Sequence, residues 1–179
     1  MRSPDDILLI LLNSQSFLSL WFWVFVAFIW AQMTHFTLNI GHHDTRHASR
    51  SGGQVMVDYE QLVYINLRNN LRLLRRYGPL VVGFMAFAMS LFAVLGFGYG
   101  FELMQALALQ WFFISILGVV SWRFLLRLEE HAPKGKELTR LFTRHTMLKQ
   151  VIGFIAILVT AIYGVIYAAL KLGLWVQQI

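Results

Sequence analysis

The sequence predicts an all-α fold: a polytopic membrane protein with four transmembrane helices and helical cytoplasmic extensions. Three observations carry that reading. The 179 residues are 58% hydrophobic and 13% charged, whereas a soluble domain runs to roughly 45–50% and about 25%. Four windows of about 20 residues carry no formal charge, and about 20 residues is the length a helix needs to cross a hydrocarbon core of about 30 Å. Most of the Lys and Arg residues fall in two of the connections between those windows. Helices are also the only open-chain way to satisfy backbone hydrogen bonds in lipid.

Residues 1–16 form an N-terminal interfacial segment. Ser3-Pro4-Asp5-Asp6 is a helix start, with a cap, a proline and two acids on the positive dipole end. Ile7 to Leu12 is apolar but too short to span, so it is expected to lie in the interface. Residues 17–38 are the first span. They lack a basic start and a small-residue cleavage site, so they read as a retained helix, not a leader. Phe17, Trp21, Phe22 and Trp23 crowd its outer end as an aromatic belt.

Residues 39–78 connect the first span to the second and contain an amphipathic helix over 53–77. At 100° per residue, Met56, Tyr59, Leu62, Val63, Leu67, Leu71, Leu73 and Leu74 share one broad face. Arg68, Arg72, Arg75 and Arg76 share the opposite arc, which suits either a helix packed on its neighbours or one docking lipid or a partner. The stretch before it, flanked by Gly41 and by Ser51-Gly52-Gly53, reads as a loop. Gly78-Pro79 marks a break into the second span, residues 79–99. A tight link, Gly98-Tyr99-Gly100-Phe101, leads to the third span, residues 103–122. Residues 123–149 form a helical hairpin turning at Pro133–Gly135, and the fourth span covers residues 150–170.

The basic residues sit in the 39–78 and 123–149 connections. The positive-inside rule places both in the cytoplasm and both termini in the periplasm. The same bias accounts for the net charge of +6 without nucleic acid, through orientation and contact with anionic lipid headgroups. Zero cysteine excludes a disulfide scaffold, a thiol catalyst and a thiolate-held zinc or iron–sulfur centre. Gly96-Phe97-Gly98-Tyr99-Gly100 follows a membrane helix, not a strand, so it is a turn and no nucleotide fingerprint. The sequence offers no nucleophile with a base, no P-loop, no paired carboxylates and no mid-membrane charge. A non-enzymatic protein with no cofactor is therefore expected.

The candidate sites are few. His42, His43 and His47 lie within six residues, and in a helix His43 and His47 would share a face as a metal pair does. His35 and His145 lie near the cytoplasmic ends of the first and fourth spans, at one depth, where two imidazoles would ligate a haem. Ala156, Thr160, Gly164 and Ala168 recur every four residues, a small-residue seam for a helix of the same chain or for a homodimer. Gln32, Gln105 and Gln110 read as interhelical glue. Arg68, Arg72, Arg75 and Arg76, with Arg123, Arg127, Arg140 and Arg144, form a basic face for lipid or a protein partner.

Three stretches carry a family resemblance: SFLSLWFW, SGGQVMVDYEQLVYINLRNN and TRLFTRHTMLKQVIGFIAILVTAIYG. They resemble a family of small four-span inner-membrane proteins of alphaproteobacteria whose members carry the name "component of SufBCD complex". The resemblance covers roughly residues 16–167 and implies bacterial inner-membrane residence without an enzymatic activity. With no cysteine the chain cannot hold a cluster by thiolates; what the resemblance leaves is docking of a soluble assembly machine on the basic face.

The expected function is that of an accessory or scaffold protein, docking or stabilising a larger complex through its basic cytoplasmic side. The alternative is a haem- or quinone-linked redox membrane protein built on His35 and His145. A third reading is a small oligomeric transporter or channel.

Overall fold

The computed structural model of the protein describes residues 20–37 and 40–176. The interfacial segment expected over residues 1–16 lies outside the described residues, as does the start of the first span. Helix α1 covers Leu20–His35. A two-residue antiparallel ladder follows, β1 (Phe36–Thr37) with β2 (Ile40–Gly41), in the register Phe36 to Gly41 and Thr37 to Ile40. Helix α2 is His42–Ser51 and helix α3 is Gly53–Ala93, which ends in a π-helical turn, Val94–Gly98. Helices α4 (Glu102–His131) and α5 (Gly135–Val176) complete the described residues. The architecture is all-α. Helix α3 with its π turn, α4 and α5 are each long and apolar enough to cross a membrane. The described part of α1 is apolar but only 16 residues, about 24 Å of helix.

Two local expectations are corrected. Residues 42–51 are helix, not loop. Their inward face explains it: Thr45 and Ala48 are buried, and the Thr45 and Tyr59 hydroxyls share a hydrogen bond at 3.2 Å. Tertiary packing overrides the glycine and serine flanks. Those glycines set the joint instead, since Gly52 and Gly53 take φ of 60° and 52°, values that side chains rarely adopt.

Helix α3 does not break at Gly78-Pro79 but runs through it as one 41-residue helix. Proline removes a single intrahelical bond, the one to the Arg75 carbonyl. Packing on both sides outweighs that loss. The buried stripe Tyr59, Val63, Leu67 and Leu71 continues at Gly78, whose Cβ position lies 3.8 Å from the Trp122 ring of α4. The amphipathic face is also narrower than predicted, because Leu62 and Leu73 are exposed. At the far end the helix closes in the π turn, held by backbone bonds from Tyr99 and Phe101 to the carbonyls of Val94 and Leu95.

Two cores result. One lies in a cap made by β2, α2, the first half of α3 and the α4–α5 junction. It gathers Ile40, Ala48, Tyr59, Val63, Leu67, Leu71, Phe124, Leu128, Leu138 and Phe142. Here α4 ends in left-handed Ala132 and α5 begins at Gly135, so the hairpin turns where the sequence predicts. The Glu60 carboxylate accepts the Gly135 N–H at 2.6 Å, and the Tyr64 hydroxyl donates to the Pro133 carbonyl at 2.6 Å. These two bonds from α3 fix the turn.

The second core is small: Val26 and Trp30 of α1, Leu117 of α4 and Ala156 of α5. Polar crosslinks supplement it. The Trp30 indole donates to Gln110 at 2.7 Å, the Gln110 amide donates to Thr160 at 2.9 Å, and Thr160 donates to the Ala156 carbonyl. One turn toward the π segment, Gln105 donates to the Gly96 carbonyl and accepts from Tyr163. The Trp111 indole donates to the Met85 carbonyl. Such bonds and close packing are what hold helices together where lipid replaces water. The outward side chains at this level are large and apolar, among them Leu80, Phe84, Phe87, Phe154 and Val165.

Candidate functional site

The basic face takes shape where α3 leaves the cap. Arg68, Arg72, Arg75 and Arg76 stand at i, i+4, i+7 and i+8, and all four are exposed because the opposite side of the helix is spent on the cap core. Glu129 of α4 faces them. Arg75 donates from one Nη2 to both Glu129 oxygens, at 2.9 Å each. Together these five side chains and Leu71 line a groove of about 500 Å³. Arg76 leaves its guanidinium 5.3 Å from the Tyr77 ring centre, a cation–π contact. Among the described residues, no ion pair reaches Arg68, Arg72 or Arg76. The groove thus holds four guanidiniums against one carboxylate.

A second groove of similar size lies farther from the membrane-length segments, between α3 and the α4–α5 turn. Val57, Glu60, Gln61, Ile65, Arg68 and Lys134 are among its walls, and the Glu60 carboxylate is held by the Gly135 N–H. Arg68 is shared by both. Arg123 and Arg127 on α4, and Arg140 and Arg144 on α5, are likewise exposed.

Lys149 behaves differently. It lies buried on the inner side of α5, one helical turn from His145, and burial lowers its pKa to about 8. His145 is also buried. Its ring stacks flat on Phe124, with centroids 4.0 Å apart and planes 1° apart. Burial first, and then the Lys149 charge, lower the imidazole to about 4. Both groups precede the charge-free window that begins at Gln150.

The remaining candidates fall out as follows. His43 and His47 do share a face of α2, with rings stacked at 6.2 Å. Among the described residues no three His, Asp or Glu side chains gather where a metal ion would sit; the His42 side chain lies outside them. The His35 side chain is also outside them, so its relation to His145 rests on chain position alone. Ala156, Thr160 and Gly164 are buried within this chain, and Ala168 is half-buried.

Sequence reasoning missed two features of the site: the Glu129 wall and the burial of Lys149. Glu129 sits six residues past Arg123 on α4, and only the antiparallel pairing of α3 with α4 brings it to Arg75. No protein-family model, curated protein or solved structure matches this chain.

Proposed function

We propose that the chain is a multi-pass integral membrane protein of a bacterial inner membrane, with four spans and both termini periplasmic. Its basic cap lies in the cytoplasm and docks or stabilises a larger complex; no enzymatic activity is assigned to it. One observation carries this reading: the arginines are spread over the outside of a cap whose apolar side is already consumed by its own core.

Distance separates two groups of charges. Arg68 lies eight residues before Arg76, about 12 Å along the helix, and Arg140 lies nine before Lys149, about 14 Å. Both exceed the Debye length of about 8 Å at physiological salt, so these charges add little to headgroup attraction. An acidic protein surface is the partner they suit, and the groove of Val57, Ile65, Arg68 and Lys134 offers it apolar contact as well. The family resemblance points to a soluble assembly machine as that partner.

The test is affinity purification of the tagged chain from its own host in mild detergent, at native expression. A stoichiometric partner that is lost on Arg68→Glu and Arg140→Glu substitution is expected. Retention of the partner by that variant would remove this face from the account. A Soret band in the same eluate would move His35 and His145 to its centre.

A further inference from the structure

The geometry points to a specific binding site for the phosphodiester headgroup of one anionic phospholipid at the membrane-proximal end of the groove, between Arg72, Arg75 and Arg76. This rests on the membrane reading above and adds to it a particular ligand at a particular place. Guanidinium is planar and forked and meets phosphate oxygens in pairs. Arg75 is already held by both Glu129 oxygens, so one wall of the groove is positioned before any ligand arrives. Glu129 offsets the Arg75 charge, and Arg72 and Arg76 are left facing a groove of about 500 Å³.

The same helix face continues beyond the arginines as an apolar track. Four residues on from Arg76 is Leu80, exposed at 72%; seven on is Gly83; four beyond that is Phe87, exposed at 66%. A Cβ at Gly83 would meet nothing within 4 Å. The face therefore reads arginine, leucine, open notch, phenylalanine, continuous from the groove into the membrane-length part of α3. A free phosphate or an acidic peptide has no use for that apolar track. A diacyl lipid fits it with a chain lying in the notch. Tyr77 and Trp122 stand beside the junction, where aromatic rings mark the level of headgroups.

The test uses the full chain in detergent, titrated with phosphatidylglycerol, with phosphatidylcholine and with soluble glycerol phosphate, and read by native mass spectrometry. Phosphatidylglycerol is expected to bind one per chain and the other two only weakly. Each basic residue near an anionic headgroup is worth about five-fold in affinity, so Arg72→Gln with Arg76→Gln should weaken binding about thirty-fold. Arg46→Gln with Arg50→Gln removes the same charge from α2 and should change it less than about three-fold. Gly83→Trp fills the notch and should weaken the lipid alone. If the α2 pair weakens binding as much as the α3 pair, the site is only net charge and the proposal fails. If glycerol phosphate binds as well as the lipid, the ligand is a soluble phosphate and the lipid assignment fails. Should the glutamine pair lower thermal stability, Arg72→Lys with Arg76→Lys keeps the charge but not the fork; undiminished binding there would overturn the bidentate site. Recovery of the chain without detergent in the soluble fraction would instead sink the membrane reading, a distinct result.

Discussion

The Trp30 indole N–H points across the bundle at the side-chain carbonyl of Gln110, 2.7 Å away, and both are buried. This bond ties α1 to α4, and the same amide reaches Thr160 of α5 at 2.9 Å. One glutamine thus joins three helices. Where lipid replaces water, no hydrophobic force does that work.

Replacing Gln110 with leucine keeps the volume and removes both bonds. Interhelical bonds of this kind are worth about 0.6 kcal/mol on average and up to about 1.7. Two lost together, with the Trp30 N–H left buried, give an expected loss of about 1–2 kcal/mol. Reversible denaturation of the detergent-solubilised chain measures it. A change within error would mean that Trp30 finds another acceptor.

Gly153 makes room for the same tryptophan. A Cβ there would lie 2.8 Å from Trp30 Cε3 and 3.4 Å from Cδ2, and the ring is pinned by its bond to Gln110. Gly153→Ala gains about 1 kcal/mol of helix propensity but overpacks at a cost of about 1–3 kcal/mol, so a net loss is expected. In a Trp30→Ala background the same substitution should become neutral or stabilising. A double-mutant cycle gives the coupling, and additive effects would separate the two residues.

Two other glycines should part company. A Cβ at Gly96 would fall 2.7 Å from the Gln105 backbone nitrogen and 2.9 Å from the Met104 carbonyl carbon. Those are backbone atoms that cannot swing aside. Gly96→Ala is expected to lower stability by about 1–3 kcal/mol and to disturb the π turn. Gly83→Ala meets open space and should leave stability unchanged or raise it by up to about 1 kcal/mol. Melting temperatures of the pair, measured side by side, check the contrast.

His145 gives a pH dependence of defined sign. In the fold its imidazole is held at about 4, first by burial and then by Lys149, against the ordinary 6.5. Above pH 6.5 both folded and unfolded chains carry it neutral, and its contribution is complete. As pH falls from 6.5 toward 4, the unfolded chain takes up a proton that the folded chain refuses, and stability drops by up to about 1.4 kcal/mol per pH unit. Lys149, held at about 8, is charged in both states over that window and does not contribute to the slope. His145→Phe keeps the stack on Phe124 and removes the proton. Its melting temperature should fall less than the wild type's between pH 6.5 and 4.5. Parallel curves would show that the ring is protonated freely in the fold.

Much of this fold is legible in the sequence. The charge-free windows pick out the apolar parts of α3, α4 and α5 but not their ends, and Pro133–Gly135 marks the hairpin turn. Gln105 and Gln110 are recognisable as glue because they are polar groups in an apolar run, but Gln32, which reads the same way, is exposed. What stays hidden depends on partners distant in the chain. Residues 42–51 carry loop-like residues at their ends, and only the burial of Thr45 and Ala48 makes them helical. Pro79 is a breaker by local rules, yet packing continues on both sides of it. The arginine stripe is visible as periodicity, but its opposing Glu129 is 54 residues from Arg75 and no spacing rule connects them.

Helix α3 passes from cap to membrane-length segment without a joint, and that makes it a lever. Its cap arm, from Gly53 to Gly78, is about 39 Å, and its inner arm, from Pro79 to Ala93, is about 22 Å. The cap core clamps the long arm along Tyr59, Val63, Leu67 and Leu71, and the Gln105 bond to the Gly96 carbonyl holds the other end. The packing of the cap therefore sets the tilt of the inner arm.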